Sequence, residues 1–269
     1  MVGTATAWEH TGHLRWSVAL VTALAAVLIQ IGTNLYNDAA DYHRGGDGPA
    51  RVGPPRVTAQ GLLGAFEVIR AALLCFVAAA VAGSYLSVLG GWPILLLGLL
   101  SIACGWAYSG GPVPIAYTPL GELFVVVFFG LVAVGGTYWL VAGALALAPV
   151  VAGLMMGSFA AAVLLVNNHR DRDEDARVGR RTLAIAIGTK ATRWLFAALM
   201  VAPFVLLAPF SCLSPNAQIW TAFLAVPVAL AVIRQFVTEP PGPGLNLILV
   251  RTVQTQMIFA VLLTIGAAL

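Results

Sequence analysis

Charge is what this chain has least of. Asp, Glu, Lys and Arg together make up 9% of its 269 residues, against roughly 25% in an ordinary soluble domain. A surface facing water needs far more, so a soluble globular protein is excluded. Cysteine is scarcer still. Cys75, Cys104 and Cys212 stand apart, within or at the ends of apolar runs, and an odd number without metal-ligand spacing argues against a disulfide framework and a zinc site. They read as small packing residues. The apolar runs lack the two-residue alternation that a transmembrane barrel requires. MVGTATAW, at the start, has neither the basic opening nor the apolar length of a signal peptide, and it is too short to cross a bilayer. No short-period repeat or low-complexity tract is present. The formal net charge is only +3, and no nucleic-acid partner is expected.

What is abundant is apolar: 60% of the residues are hydrophobic. Runs of about 17 to 25 such residues recur, each long enough for a hydrocarbon core of roughly 30 Å. Backbone groups in lipid must be satisfied within their own segment, so the spans are helical. The pattern predicts an all-α integral membrane protein, residues 1–269 forming one domain. Eight full spans are expected, near 16–37, 62–86, 92–108, 120–140, 143–168, 192–212, 217–237 and 248–268.

The basic residues orient these spans. Thirteen of the fourteen Lys and Arg lie in or near alternate connections: Arg44, Arg51, Arg56 and Arg70; then Arg170, Arg172, Arg177, Arg180, Arg181, Lys190 and Arg193; then Arg234 and Arg251. By the positive-inside rule that face is cytoplasmic. The opposite connections carry no charge, and Arg15 is the exception. His10 and His13 read as solvated loop residues.

The acids are not explained by that rule. In NLYNDAADYHRGGD, residues 34–47, Asn34, Asn37, Asp38 and Asp41 stand at helical spacings 0, 3, 4 and 7, with Asp47 beyond. In VNNHRDRDEDARVGRRT, residues 166–182, Asn167, Asp171 and Asp175 stand four apart, with Asn168 beside them. Seven of the eleven acids fall in these two stretches, each at the end of an apolar span on the same face. Acids at a membrane boundary are costly unless a cation compensates. Carboxylates and carboxamides are hard oxygen donors that suit Mg²⁺, which fills its remaining positions with water and phosphate oxygens. The clusters therefore imply a phosphorylated ligand, and the interleaved Arg side chains match phosphate oxygens. Asp173 and Glu174 fall off the shared face and read as solvated, while Arg172, Lys190 and Arg193 read as inside-positive anchors.

These two motifs, with RVGPPR after the first and LAIAIG after the second, resemble the paired Asp-rich motifs of the UbiA superfamily of intramembrane prenyltransferases. The first motif ends in D-x-x-x-G-x-D, a spacing that resembles the branch acting on 1,4-dihydroxy-2-naphthoate, as do YSGGPVPIAYTPLGELFVVVFFG, residues 108–130, and the late GLNLILVRT. Arg180 stands where members usually carry Lys, with the charge kept. MVGTATAW resembles the tail of the family's first transmembrane helix, so that a truncated first helix would bring the spans to nine.

The resemblance implies a Mg²⁺-dependent transfer of a polyprenyl group from polyprenyl diphosphate to an aromatic acceptor, expected to be 1,4-dihydroxy-2-naphthoate with loss of CO₂ to give demethylmenaquinone. It implies metal ligands Asn37, Asp38, Asp41, Asp171 and Asp175, whose four carboxylates are also the catalytic residues. The diphosphate would be held by Asn34, Asp47, Arg51, Arg56, Asn167, Asn168, Arg170, Arg180 and Arg181. Tyr108, Tyr117 and Glu122 lie on the loop expected to handle the acceptor, although Tyr at a membrane interface is commonly an anchor and a lone Glu suits a helix N-terminus. The protein would be multi-pass in a bacterial-type plasma membrane, with the bilayer supplying its lipid partner and the site facing the cytoplasm. Alternatives with the same motifs are a 4-hydroxybenzoate-type prenyltransferase and a terpene cyclase. A CDP-alcohol phosphotransferase would need D-x-x-D-G-x-x-A-R, which is absent. A cation transporter would place acids near the bilayer midplane.

Overall fold

The computed structural model describes residues 1–45, 52–214 and 217–268. Among them the regular structure is helical throughout. Helix α1, Val2–Thr11, is followed by α2 (Trp16–His43), α3 (Ala65–Gly90) and α4 (Trp92–Ala107). A short 3₁₀ turn at Ile115–Tyr117 leads to α5 (Gly121–Val125), which continues through a π-helical stretch, Val126–Val132, into α6 (Ala133–Ala142). Then come α7 (Leu147–Arg170), α8 (Arg172–Arg177) and α9 (Leu183–Ser211), a 3₁₀ stretch at Ala217–Ala225, α10 (Val226–Thr238) and α11 (Leu245–Ala268).

Seven of these segments are long and apolar enough to cross a membrane: Trp16–His43, Ala65–Gly90, Gly121–Ala142, Leu147–Arg170, Leu183–Ser211, Gln218–Thr238 and Leu245–Ala268. The eighth expected span is α4, a shorter apolar helix at Trp92–Ala107, whose sixteen residues rise only about 24 Å. Large apolar side chains are exposed along these helices, including Leu20, Leu74, Val81, Leu99 and Val205. In water that would be untenable, but in lipid it needs no compensation. The protein is an integral, multi-pass membrane protein.

Two details depart from the sequence reading. The span expected to start at 192 belongs to a helix that starts at Leu183, because Gly188 adopts φ 75° and ψ 169° and lets a short segment on the side of the acidic clusters join the span across a kink. His10 is helical rather than in a loop. Its Nδ1 lies 3.0 Å from the Tyr138 hydroxyl and its Nε2 3.2 Å from the Leu213 carbonyl, tying α1 to the side of the bundle opposite the acidic clusters.

Helix α7 is the axis of the molecule. Its buried residues include Ala152, Met155, Phe159, Ala162, Leu165 and Val166, and it packs on α1, α9, α11 and the π-helical stretch. The approach to that stretch is so close that a Cβ on Gly130 would stand 2.3 Å from the Gly153 carbonyl oxygen. A second apolar cluster joins α1 to α4 and α6 through residues including Val18, Leu86, Ile94 and Tyr138. The packing brings the C-terminal ends of α2, α4 and α7 and the N-terminal end of α5 to one side of the bundle. Every acid-rich segment is on that side.

Candidate active site

The last two turns of α2 run beyond the apolar span and carry the first cluster. Asp41 is 1% exposed and accepts from two guanidinium groups. Arg56 approaches its Oδ2 at 2.8 Å, and Arg180 bonds its Oδ1. Arg180 also donates to Asp175 Oδ1 at 3.0 Å. One guanidinium thus spans the two acidic clusters. Asp38 does something else: it accepts the backbone N–H groups of Val57 and Thr58 at 3.1 and 3.3 Å, fixing the loop that carries Arg56. Asn37 takes a hydrogen bond from the Ser109 hydroxyl at 2.8 Å, and its carbonyl accepts from Arg56 at 3.0 Å. Asn34 is exposed. Asp47 and Arg51 lie outside the described residues.

The second cluster is not on one continuous helix. Asp171 has φ −94° and ψ 4°, so α7 stops at Arg170 and α8 restarts at Arg172. Glu174, expected in solvent, instead lines the site, since seven residues from Asn167 and three from Asp171 put it on their face. Asn37, Arg56, Tyr108, Asn167, Asn168, Asp171, Glu174, Asp175 and Arg180 line a polar cavity of about 50 Å³, with Ala116. Asp173, as expected, is in solvent, its side chain 82% exposed. Arg170 is buried and holds Asp171 bidentately through Nε at 2.7 Å and Nη2 at 2.6 Å, while Nη2 also donates to Asn167 Oδ1 and Nη1 to Asn246 Oδ1. The Arg181 side chain is exposed, but its backbone N–H donates to the Tyr117 carbonyl at 3.1 Å.

Burial pushes the Asp175 carboxyl up to about 6, with Asp171 and Asp41 adding to the rise and Arg180 opposing it. Burial disfavours the charged carboxylate, and a bound divalent cation would offset that cost. The donor set of Asn37, Asp41, Asp171 and Asp175 is all hard oxygen, which fits Mg²⁺ and not a thiolate-seeking metal. Among the described residues no three His, Cys, Asp or Glu side chains converge tightly enough to hold a metal by themselves.

The loop between α4 and α5 closes over this arrangement. The Tyr117 ring lies between two guanidinium groups, with Arg44 at 5.3 Å and Arg180 at 4.8 Å from its centroid. Arg44 also donates to the Ser109 carbonyl at 2.5 Å. Tyr108 lines the cavity and interacts electrostatically with Glu122, Arg180, Asp175 and Asp41. Glu122 is buried, and its Oε1 accepts from Asn168 Nδ2 at 2.9 Å. All three residues expected on this loop therefore touch the acidic site. Sequence reasoning missed Glu174, Ser109 and Asn246. All three fall within quoted stretches, Ser109 in residues 108–130, Glu174 in 166–182 and Asn246 in GLNLILVRT, and Glu174 also had its spacing of seven from Asn167.

The bundle and its boundary site define an intramembrane protein whose acidic and guanidinium side chains meet at one end of its apolar spans. Residues 1–242 match the UbiA prenyltransferase family, and the chain belongs to it. It is 33% identical over 99% of its length to the 1,4-dihydroxy-2-naphthoate octaprenyltransferase of Escherichia coli K12, covering 88% of that protein. It is 34% identical to the protein of the same name from Mycobacterium leprae, covering 97% of this chain and 87% of that one. The fold matches the solved structure of a UbiA homolog from Archaeoglobus fulgidus bound to DMAPP and Mg²⁺, with a TM-score of 0.67 at 14% identity over 100% of this chain and 94% of that one.

Proposed function

We propose that residues 1–269 act as one catalytic unit that transfers a polyprenyl group from its diphosphate to 1,4-dihydroxy-2-naphthoate, with loss of CO₂. The relatives' shared name supports the acceptor. The observation that carries the chemistry is the bridge made by Arg180 between Asp41 and Asp175 at the edge of a polar cavity. Two acidic clusters held one guanidinium apart leave room for a diphosphate between them.

In this reading Asn37, Asp41, Asp171 and Asp175 hold the cation, and Asp38 joins them when the Val57 and Thr58 amides release it. Mg²⁺, when bound, neutralises charge developing on the leaving diphosphate. Arg180 and Arg56 turn from the acids to the diphosphate oxygens, a swap of one anionic partner for another that leaves neither guanidinium unpaired. Asn167, Asn168, Arg170 and Arg181 frame the same anion. As the allylic C–O bond opens, these cations stabilise the departing charge more than the ground state, which is what lowers the barrier. The Tyr108–Glu122 loop receives the ring and excludes water. A cavity of about 50 Å³ is far too small for a naphthoate, so the loop opens to admit it. The site faces the cytoplasm, where the basic connections lie.

The experiment is prenyl transfer by the purified protein in detergent, with octaprenyl diphosphate, Mg²⁺ and competing aromatic acids. Naphthoate should be consumed with one CO₂ released per prenyl group transferred, and 4-hydroxybenzoate should be ignored. Equal use of both acids, or coupling without CO₂, would remove the assigned acceptor. Loss of the EDTA-sensitive rate would be expected on chelation, and a chelator-insensitive rate would remove the cation.

A further inference from the structure

The proposed reaction leaves one buried acid unused. Glu122 is 4% exposed and stands in the first turn of α5. Its Oε1 is held by Asn168 at 2.9 Å, while its Oε2 has no hydrogen-bond partner. Among the described residues no Lys, Arg or His forms an ion pair with it. A carboxyl group half satisfied in a buried setting is a poor stabiliser, because the unpaired oxygen loses its water without replacement. Its surroundings point to a ligand. Asn168, which orients it, and Tyr108, its electrostatic neighbour, both line the cavity between the acidic clusters. Glu122 does not itself line that cavity but stands one hydrogen bond behind Asn168, on the loop that the reading above opens to admit the ring.

We propose that Glu122 is the proton acceptor for the ring hydroxyl of the aromatic substrate, with Asn168 as its positioning residue. This rests on the naphthoate reading above. The hydroxyl beside the carboxylate-bearing carbon gives its proton to Glu122 Oε2. Its O–H pair becomes the C=O bond, and the ring carbon attacks the allylic carbon while the C–O pair leaves with the diphosphate. The new quaternary carbon then loses CO₂. The electrons of that C–C bond restore the ring, and the ketone oxygen takes the proton back from Glu122. No net proton enters or leaves, so one carboxyl group in a closed cavity suffices. A chain of water to bulk would be unnecessary. Asn168 leaves one carboxylate oxygen free for the hydroxyl by occupying the other.

The test is the pH dependence of Glu122→Gln against wild type, with saturating octaprenyl diphosphate and 1,4-dihydroxy-2-naphthoate. General-base help contributes on the order of 10²-fold. The variant should lose about that much kcat near neutral pH with little change in KM for either substrate. The deficit should shrink as pH rises toward about 10, where a phenolic hydroxyl ionises by itself. Glu122→Asp should keep part of the rate with the wild-type pH profile, and it carries the test if the Gln variant does not fold. A deficit that stays constant with pH, a loss confined to the acceptor's KM, or a wild-type rate would each overturn the assignment. If wild type itself fails to prenylate the naphthoate, it is the function above that falls.

Discussion

Replacing Arg180 by Gln tests the centre of the site. Its guanidinium bonds Asp41 and Asp175 and packs over the Tyr117 ring, and its side chain is only 14% exposed. Removing it orphans the two acids unequally. Asp41 keeps Arg56 at 2.8 Å. Asp175 loses the cation that opposes its burial, and a carboxyl already pushed up to about 6 rises further and takes a proton near neutrality. Protonation relieves the repulsion, so the fold survives, but a cation ligand is lost with the guanidinium. A hydrogen bond to a charged group contributes about 1.5–3 kcal/mol. A lost bidentate grip on diphosphate therefore weakens transition-state binding by about 3 kcal/mol, or roughly 150-fold in kcat/KM. The loss should show in prenyl diphosphate turnover by the detergent-purified variant, with an unchanged elution profile on size exclusion. Arg180→Lys should recover most of the rate, since an ammonium keeps the charge without the fork. A Gln variant within threefold of wild type would refute the bridging role, as would a Lys variant no better than Gln.

The acids should divide by position: Asp41→Asn and Asp175→Asn should abolish turnover while Asp173→Ala, in solvent, stays within about twofold, measured as initial prenyl-transfer rates. Because the Asp175 carboxyl titrates near 6 and only its ionised form can hold a cation, affinity for Mg²⁺ with diphosphate should fall as pH drops below about 6, by up to tenfold per unit, in calorimetric titrations. Tyr117→Phe, which keeps the ring over Arg44 and Arg180, should retain most of the activity, whereas Tyr117→Leu should lose the two cation–π contacts, about 1–2 kcal/mol, and raise the acceptor's KM. Gly130→Ala should lower the unfolding temperature in detergent, because its Cβ would fall 2.3 Å from the Gly153 carbonyl and force α7 away by an overpacking cost of about 1–3 kcal/mol.

The sequence by itself determined what depends on local pattern. Lipid as solvent, helices as the only regular structure, the alternation of basic connections and the two acid-rich helix ends all follow from composition and spacing along one segment. α2 and α7 accordingly end where Asn37 to Asp41 and Asn167 to Asp171 stand. The tertiary structure decided which of those side chains face one another. Arg180 and Asp41 are 139 residues apart, and Asn168 and Glu122 are 46 apart. Neither pairing has a periodicity that could announce it. The turn of α2 sends Asp41 to the guanidinium groups and Asp38 to a loop, although both share the same spacing pattern. Glu174, seven residues from Asn167 and three from Asp171, faces the cavity with them even though α7 stops at Arg170 and α8 restarts at Arg172. Helical spacing sets directions within a segment, but a partner depends on how far each helix is rotated and where it stops. Those are set by packing, as at Gly130 against Gly153 and Gly157, where the absence of side chains lets two helices approach and fixes where the site must form.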